Sequence, residues 1–376
     1  LRFSDLLSAA CGYREILPGM GVRPGDKVTI CAYNSCSWLR AFFGVTCYGA
    51  VAVLMNYSLP ENEIMTLMEQ MDSSVFLYGN FGAREKDPAA PEHIQRDAAK
   101  RADISAFRFE KKDSFEPVPF GEEKYGDPAF VVFTSGSTGY PKLAVHNCKY
   151  PLGHFVTARY WHCVDPDGLH LTISDTGWAK AVWGKLYGQW LCEGAVFVYD
   201  FDRFNAADIM PMFKKYNITT FCAPPTMYRF FIKEDLSKYD LSSIKHASTA
   251  GEAMNPEVFN RFREATGLSI MEGFGQTETT VVIGNFVGMA PKIGSMGKPN
   301  PQYNVELITA DGNFAPDGEV GEICIFTGDG APCGLFAGYY ENEEENNACW
   351  HDGYYHTGDL AWRDEDGYFW YVGRAD

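Results

Sequence analysis

Short apolar segments alternate with segments of helical periodicity in the N-terminal part of the chain, and this alternation restricts the fold more than any other feature. In a strand–helix–strand order, neighbouring strands lie parallel in one sheet and helices cover both of its faces. The alternation therefore predicts an α/β protein built on a parallel sheet. Helices are predicted at residues 5–20 and 36–48, and strands at 27–32, 51–55 and 74–78.

A third helix is predicted after Ser58, which has Glu61 three residues on, as in a capping box. Residues 84–124 are charged and irregular, and after them the alternation returns. Strands of this second series are predicted at 169–173, 195–198, 219–223, 246–250 and 269–273.

The pattern of predicted elements changes from about residue 291 onward. Short strands are separated there by Asp-Gly turns, a spacing typical of a small antiparallel or barrel-like unit. The strands of this unit are predicted at 304–308, 321–325 and 368–372.

A loop rich in Gly, Ser and Thr follows the apolar strand predicted at 128–133. From Thr134 it packs four hydroxyl residues and two glycines into six positions, and it ends at Lys142. Backbone N–H groups and hydroxyls of such a loop can converge on one point, which suits a polyphosphate. It is not a Walker A loop, because Lys142 follows Pro141 and no Ser or Thr comes next. A surface turn between two strands is the alternative.

Polar residues also follow the strands predicted at 246–250 and 269–273, at the sheet edge where ligands bind to parallel strands. Gln276 and Thr277 can donate hydrogen bonds to a phosphate or carboxylate oxygen, and Glu278 is a hard ligand suited to Mg²⁺. The glycine in the segment STAGE permits close approach of a flat ring. Polar turns that only cap the strands would have the same composition.

Three further residues could contact a ligand. Asp359, in the segment YHTGD, offers a carboxylate that can accept two hydrogen bonds from a ribose diol. Arg374 offers a guanidinium for a phosphate or ribose oxygen, and Trp178, in the segment SDTGW, could line an apolar pocket. Taken singly, a turn residue, a surface charge and a core tryptophan are the alternatives.

The net charge of −17 argues against a nucleic-acid or anionic-membrane surface, so that a polyanion must be held by a local site. The longest apolar stretch, at 41–55, is too short to span a membrane. Eleven cysteines include no C-x-x-C pair, which is typical of reduced thiols in the cytoplasm or, as the alternative, in an organelle matrix.

The ordered series FTSGSTGYPK, SDTGW, AGE, GFGQTE, YHTGD and GRAD resembles the adenylate-forming superfamily of acyl-CoA synthetases, peptide-synthetase adenylation domains and luciferases over nearly the whole chain. The segments SDTGW and 284–301 most resemble medium-chain acyl-CoA synthetases. The resemblance implies an α/β fold with two mainly parallel sheets flanked by helices in layers, plus a small antiparallel β-barrel-like subdomain. The expected units are a core at 1–290, the barrel-like subdomain at 291–372 and a hinge stub at 373–376.

In that superfamily ATP and a carboxylic acid give an acyl-adenylate and pyrophosphate, and coenzyme A then displaces AMP to form a thioester. The resemblance implies catalytic roles for Lys142, Thr277 and Glu278, and Mg²⁺ ligation by Glu278 and Thr138. It implies an acyl pocket lined by Trp178, Gly275 and Thr277. The nucleotide contacts that it implies are Thr134, Ser135, Gly136, Ser137, Thr138, Gly139, Lys142, Ala250, Gly251, Glu252, Glu272, Gly273, Phe274, Gly275, Gln276, Thr277, Asp359 and Arg374.

The resemblance also bears on the acid and on the chain ends. Acetate-specific relatives place a Trp where Gly275 stands, which implies a medium-chain, branched or aromatic acid here. The superfamily extends before Leu1 and continues beyond Asp376 into a mobile domain that carries a catalytic Lys and half of the coenzyme A site. We therefore expect these 376 residues to bind ATP or AMP but to adenylate very poorly. A homodimer is a further expectation.

Two rival functions remain open. An amino-acid adenylation domain would place an Asp in the acyl pocket to pair with the substrate ammonium, and Asp175 is the nearest such residue in sequence. A non-catalytic nucleotide-binding module would not need the Mg²⁺ ligand Glu278. A nicotinamide-dependent dehydrogenase is disfavoured, because no G-x-G-x-x-G follows a first strand.

Overall fold

The computed structural model describes residues 1–79, 91–112, 124–134, 141–201 and 203–375, which form three β-sheets covered by helices. The strands are β1 Lys27–Ala32, β2 Val51–Leu54, β3 Val75–Gly79, β4 Arg101–Asp103, β5 Pro128–Thr134, β6 Lys142–Asn147, β7 Leu169–Thr172, β8 Ala195–Phe197, β9 Thr220–Cys222, β10 His246–Ala250, β11 Ile270–Phe274, β12 Ile283–Gly284, β13 Lys298–Pro299, β14 Val305–Ile308, β15 Val320–Phe326, β16 Gly338–Tyr339, β17 Trp350–His351, β18 Tyr354–Arg363 and β19 Phe369–Arg374. The α-helices are α1 Phe3–Gly19, α2 Cys36–Tyr48, α3 Glu61–Gln70, α4 Pro91–Ile94, α5 His154–Val156, α6 Ala179–Lys185, α7 Tyr187–Leu191, α8 Ala206–Tyr216, α9 Pro225–Phe231, α10 Pro256–Thr266 and α11 Glu343–Cys349.

The first sheet has the strand order β16-β6-β5-β2-β1-β3-β4. Strands β5, β2, β1, β3 and β4 run parallel, while β6 and β16 are antiparallel to their neighbours. The central strands β1 and β2 are buried along almost their whole length, as expected of a sheet with both faces covered. The parallel sheet predicted from the alternation is therefore confirmed.

The second sheet has the order β13-β12-β11-β10-β9-β7-β8, and its strands from β11 to β8 are parallel. Helices α6 and α7 lie between the two large sheets. Ala179, Val182 and Leu186 from this helical layer share one hydrophobic core with Phe42 and Phe130 of the first sheet's side. The layered arrangement implied by the family resemblance is confirmed.

The third sheet is antiparallel and has the order β14-β15-β18-β17, with β19 also paired to β18. Because β18 is ten residues long, β17 pairs with its first part and β19 with its last part on the same edge. The antiparallel unit was predicted correctly, but among the described residues its strands form an open sheet and not a closed barrel. The domain boundaries at 290 and 372 stay predictions.

Two predictions about the N-terminal half need correction. Helix α3 begins at Glu61 after Pro60, and the hydroxyl of Ser58 donates to Oδ1 of Asn56 at 2.6 Å, so Ser58 is not the N-cap. Pro60 has φ of −59°, and proline favours the start of a helix because its ring fixes this angle. The segment 84–124, expected to be irregular, contributes α4 and β4 within its described part.

Strand β6 was not predicted, although it begins at Lys142, directly after the Gly/Ser loop. It pairs antiparallel with β5 from Thr134–Lys142 to Pro128–Asn147. The described residues contain no helix that is both long enough and apolar enough to cross a membrane.

Candidate active site

A cleft of about 1050 Å³ opens where the three sheets meet. Its walls come from the carboxyl ends of β10 and β11, the start of β6, and the edge formed by β18 and β19. Lys142, Thr277 and Asp359 all line this one cleft, although they are far apart in sequence.

The cleft brings together every described residue to which the resemblance gave a site role. These residues are Thr134, Lys142, Trp178, Ala250, Gly251, Glu252, Glu272, Gly273, Phe274, Gly275, Gln276, Thr277, Glu278, Asp359 and Arg374. The predictions for Ser135, Gly136, Ser137, Thr138 and Gly139 fall outside the described residues. The role of each residue stays a prediction.

Parallel pairing explains why the segments AGE and GFGQTE reach the same place. In the register of β10 with β11, Ala250 lies opposite Gly273. Both strands end there, and the residues that follow them enter the cleft side by side.

The ammonium group of Lys142 is held by two groups from the far end of the chain. It lies 2.5 Å from Oε2 of Glu345 on helix α11 and 5.3 Å from the ring centre of Tyr339 on β16. Strand β16 brings Tyr339 into this position because it pairs with β6, opposite Ala144.

Glu278 is a buried carboxylate at the floor of the cleft. Its Oε1 accepts a hydrogen bond of 2.6 Å from the hydroxyl of Tyr339. Burial raises the pKa of Glu278, while the hydrogen bond from Tyr339 and the charges of Lys142 and Arg374 act in the opposite direction. A further cation next to Glu278 would offset part of the free-energy cost of burying its charge.

Asp359 is held by donors on both of its oxygens. Oδ2 accepts from Nε2 of Gln276 at 2.5 Å and from Nη1 of Arg374 at 3.3 Å, and Oδ1 accepts from the hydroxyl of Tyr371 at 3.1 Å. Burial raises the pKa of Asp359, and Arg374 counteracts it. The side-chain amide of Gln276 thus orients Asp359, and its donation to a phosphate or carboxylate oxygen of a ligand stays a prediction.

Arg374 reaches Asp359 because the two residues are directly opposed in the β18–β19 ladder. Directly before Asp359 stands Gly358, which has φ of +70°, and a Cβ atom there would lie 2.6 Å from Nη2 of Arg374. The backbone angle favours glycine at this position, and the guanidinium would have to move to make room for a side chain.

Glu272 is buried at the base of β11. Its carboxylate accepts from the backbone N–H groups of Gly294 at 3.0 Å and Met254 at 3.3 Å. Burial raises the pKa of Glu272 to about 7, and the two backbone donors lower it only in part.

Two other predicted residues contact the cleft from its rim. Glu252 pairs with Arg229 at 3.0 Å and accepts from the hydroxyl of Thr226 at 2.8 Å, and its place beside adenine stays a prediction. Trp178 is 51% exposed and precedes helix α6, so it is a wall residue and not part of the core.

Gly275, for which a role in the acyl pocket was predicted, packs closely against backbone. A Cβ atom on Gly275 would lie 2.3 Å from the carbonyl oxygen of Thr280, so glycine allows two chain segments to approach each other here. Gly275 also lines the cleft. Its effect on the length of the acid stays a prediction.

The described residues that line the cleft include six carboxylates and three permanently basic side chains. The carboxylates belong to Glu252, Glu272, Glu278, Glu322, Glu345 and Asp359, and the basic groups to Lys142, Lys180 and Arg374. A polyphosphate that enters this cleft needs a divalent cation, because the side chains alone do not offset its charge.

Sequence reasoning missed the residues that hold the predicted ones. Tyr339 and Glu345 contact Glu278 and Lys142, and Tyr371 contacts Asp359. The only sequence signal among them was the predicted strand at 368–372, which contains Tyr371 but says nothing of its partner.

Residues 1–340 match the family described as AMP-binding enzyme. The chain is 33% identical to acyl-coenzyme A synthetase ACSM3, mitochondrial, of Pongo abelii and 40% identical to the protein of the same name in Mus musculus. Each alignment covers 100% of this chain and 64% of the relative, so the chain spans about two thirds of their length.

An acyl-CoA synthetase from Brucella canis has the same fold, with a TM-score of 0.84 at 23% identity over 100% of this chain and 70% of that one. The match to the family extends over the segments that carry all but two of the described cleft residues with predicted roles, Asp359 and Arg374. The chain therefore belongs to the AMP-binding enzyme family.

Proposed function

We propose that the whole protein is an AMP-forming acyl-CoA synthetase, which joins a carboxylic acid to AMP and then transfers the acyl group to coenzyme A. The observation that carries the proposal is the convergence of Lys142, Thr277 and Asp359 on one cleft at the carboxyl ends of parallel strands. The names of the relatives support the same reaction. Because the chain spans about two thirds of those relatives, the complete activity is assigned to the whole protein.

The first step needs positioning and charge neutralisation more than a covalent protein intermediate. The acid's carboxylate oxygen attacks the α-phosphorus of ATP, the bond to the β-phosphate oxygen breaks, and pyrophosphate leaves. Lys142 and Arg374 would offset phosphate charge, and Thr277 would donate to the oxygens that carry charge in the transition state. Asp359, oriented by Gln276, would accept from the ribose hydroxyls.

The residues present fit a Mg²⁺ ion. Glu278 supplies a buried carboxylate that faces the cleft and has one donor on Oε1, and Mg²⁺ is commonly bound by one or two carboxylates together with substrate phosphates. When bound, the ion would lower the charge repulsion between the phosphates and the incoming carboxylate.

We infer that the acid has an apolar tail and no ammonium group. Trp178, Ala179 and Met296 give apolar surface to the cleft. Asp175, which the amino-acid hypothesis needs in the pocket, accepts a 3.0 Å hydrogen bond from Tyr57 and is not among the described residues that line the cleft. These contacts support a fatty or aromatic acid over an amino acid.

Acid-dependent exchange of labelled pyrophosphate into ATP tests the proposal in the whole protein. We expect exchange with hexanoate or benzoate, less with acetate and none with phenylalanine, and a thioester when coenzyme A is added. Exchange with amino acids alone would favour the adenylation domain. Mg²⁺-dependent ATP binding without exchange for any acid would favour a non-catalytic nucleotide-binding module.

A matched pair of variants ties the result to the cleft. Thr277→Val removes only the hydroxyl, and we expect it to slow exchange by about 10- to 100-fold, the effect of one hydrogen bond to a charged group. Thr277→Ser restores the hydroxyl and should recover most of the rate. Equal rates for the two variants would remove Thr277 from the mechanism.

We propose a reducing compartment for the protein. All eleven cysteines are free thiols in the described chain, and the relatives named above are mitochondrial proteins, which favours an organelle matrix over the cytoplasm. Self-association into a homodimer remains a proposal that sedimentation analysis of the whole protein can test.

A further inference from the structure

Glu322, Cys324 and His356 form a cluster on one face of the third sheet, and we propose that this cluster binds a zinc ion. The oxygen, sulfur and nitrogen ligand atoms of the three residues all lie within 4.8 Å of one another. Neither the nucleotide nor the acid proposed above uses this cluster, so the inference stands apart from the proposed function.

The sheet itself brings the three side chains together. Cys324 on β15 lies directly opposite His356 on β18, and Glu322 is two residues before Cys324 on the same strand. Side chains two apart on a strand point to the same face, as do directly opposed residues of neighbouring strands. The ladder shifts register between Glu322, which lies opposite Leu360, and Cys324. Oε2 of Glu322 nevertheless lies 2.9 Å from Nδ1 of His356.

Two of the three ligand pairs lie at distances close to those of a tetrahedral zinc site. Nδ1 of His356 lies 3.4 Å from Sγ of Cys324 and 2.9 Å from Oε2 of Glu322. Zinc bonds of about 2.0–2.3 Å would separate nitrogen and sulfur ligands by about 3.5 Å, and nitrogen and oxygen ligands by about 3.3 Å. The distance between Nδ1 of His356 and Oε2 of Glu322 would have to increase by only a few tenths of an ångström.

Burial encloses the ligands, and hydrogen bonds orient two of them. Cys324 is fully buried, which raises the pKa of its thiol well above the usual range, a cost that zinc would have to offset on binding. The side chains of His356 and Glu322 are 12% and 22% exposed. Oε1 of Glu322 accepts from the backbone N–H of Gly358 at 2.7 Å, which fixes the carboxylate and leaves Oε2 to accept from Nδ1 of His356 at 2.9 Å. Nε2 of His356 is buried without a hydrogen-bond partner in the described part of the chain.

A set of one thiolate, one imidazole and one carboxylate suits zinc better than the harder ions Mg²⁺ and Ca²⁺. On binding, the thiol proton of Cys324 leaves to the solvent, and the imidazole proton moves to Nε2 so that Nδ1 can donate its lone pair. Glu322 and His356 line the cleft, which gives the ion a path from solvent and leaves a fourth position for water.

Cobalt(II) provides a direct readout, because it replaces zinc in such sites and a bound thiolate gives a near-ultraviolet charge-transfer absorption. The protein is freed of metal with a chelator and titrated with Co²⁺, and the bound ion is then displaced with Zn²⁺. We expect one equivalent to bind with this absorption, and Zn²⁺ to remove the signal and raise the melting temperature.

Variants decide whether the cluster is responsible. Cys324→Ser should abolish the charge-transfer band, and His356→Gln should weaken binding at least as much as the roughly 10- to 100-fold loss seen for changes around metal ligands. Cys36→Ser removes an exposed thiol elsewhere and should leave the titration unchanged. An absent band in the unaltered protein, a band that survives in folded Cys324→Ser, or an unchanged Co²⁺ affinity in folded His356→Gln would overturn the proposal. Circular dichroism establishes folding, and the more exposed His356 decides if Cys324→Ser does not fold.

Discussion

Oε2 of Glu345 on helix α11 lies 2.5 Å from the ammonium group of Lys142, the basic residue with which the Gly/Ser loop ends in sequence. A phosphate that approaches Lys142 must compete with this carboxylate. Both side chains are mostly buried, which makes the competition stronger than at an open surface.

Removal of the Glu345 charge should therefore strengthen nucleotide binding. We expect Glu345→Gln to tighten Mg²⁺-ATP binding by about two- to five-fold, the range of a weak to moderate ion pair. Lys142→Met should weaken it by about tenfold or more. Isothermal titration calorimetry measures both. Glu344→Gln makes the same charge change on the exposed face of helix α11 and should have little effect. Equal tightening in that control would point to general charge and not to Lys142.

Asp359 should control nucleotide affinity through its oriented carboxylate. Asp359→Asn replaces an acceptor by a donor opposite Arg374 and Gln276, and we expect ATP and AMP affinity to fall by about 10- to 100-fold. Fluorescence titration with a labelled nucleotide measures the change. Asp352→Asn, at an exposed turn before the same strand, is the matched control. If the two variants bind equally, Asp359 does not contact the nucleotide.

The hydroxyl of Tyr339 should stabilise the fold through Glu278. Tyr339→Phe leaves a buried carboxylate oxygen without its 2.6 Å donor, and we expect the free energy of unfolding to fall by about 1–3 kcal/mol. Urea denaturation checks this value. Tyr340→Phe removes the neighbouring hydroxyl outside the cleft and should cost less. A loss that is the same in both variants would contradict the assigned contact.

Glu272 should make stability depend on pH between about 4.5 and 7. Burial raises the pKa of Glu272 from 4.5 to about 7, so the folded protein retains a proton that the unfolded chain has lost. The free energy of unfolding therefore falls as pH rises through this window, by about 3 kcal/mol from this group. Glu272→Gln should remove that fall while the contributions of other groups persist. Denaturation curves at several pH values test it, and parallel pH profiles for the two proteins would refute it.

Gly275 should be essential for packing. Gly275→Ala places a methyl group against the Thr280 carbonyl, and we expect a loss of about 1–3 kcal/mol in the free energy of unfolding. Gly373→Ala adds the same methyl group on β19, where no atom lies within 4 Å, and should be nearly neutral. Thermal melting of both variants, together with their preference among acids, separates packing from acid selection. A stable Gly275→Ala protein that prefers shorter acids would support the predicted role of Gly275 in the acyl pocket.

Strands were predicted well from the sequence where a local apolar pattern was enough to identify them. Strand β1 lies at the predicted residues, because a short, mostly apolar run between polar turns needs no distant information. Strand β6 was missed because it is completed by β16, only two residues long and nearly 200 positions away. The Ser58 cap was wrong because Pro60 fixes the helix start more strongly than a serine three residues before Glu61.

In the candidate site, too, local segments could be predicted and distant contacts could not. Its main segments could be predicted because residues after parallel strands gather at one sheet edge, and the resemblance supplied those from the third sheet. Their partners could not, since Glu345 is 203 residues from Lys142 and Asp359 is 83 from Gln276. The backbone contact between Gly275 and Thr280 could not be predicted either, because composition does not reveal it.

Strand β6 starts at Lys142 and pairs with β16, which carries Tyr339, and helix α11 with Glu345 follows four residues later. Lys142 and Tyr339 thus lie on neighbouring strands at the edge of the first sheet, and Glu345 lies on the helix that follows β16. A change in the pairing of β6 with β16, for instance at Ala144, would displace all three together. Substitution of the Lys142 or the Glu345 side chain can therefore change phosphate binding separately, whereas a change in the backbone of β6 or β16 would move both groups.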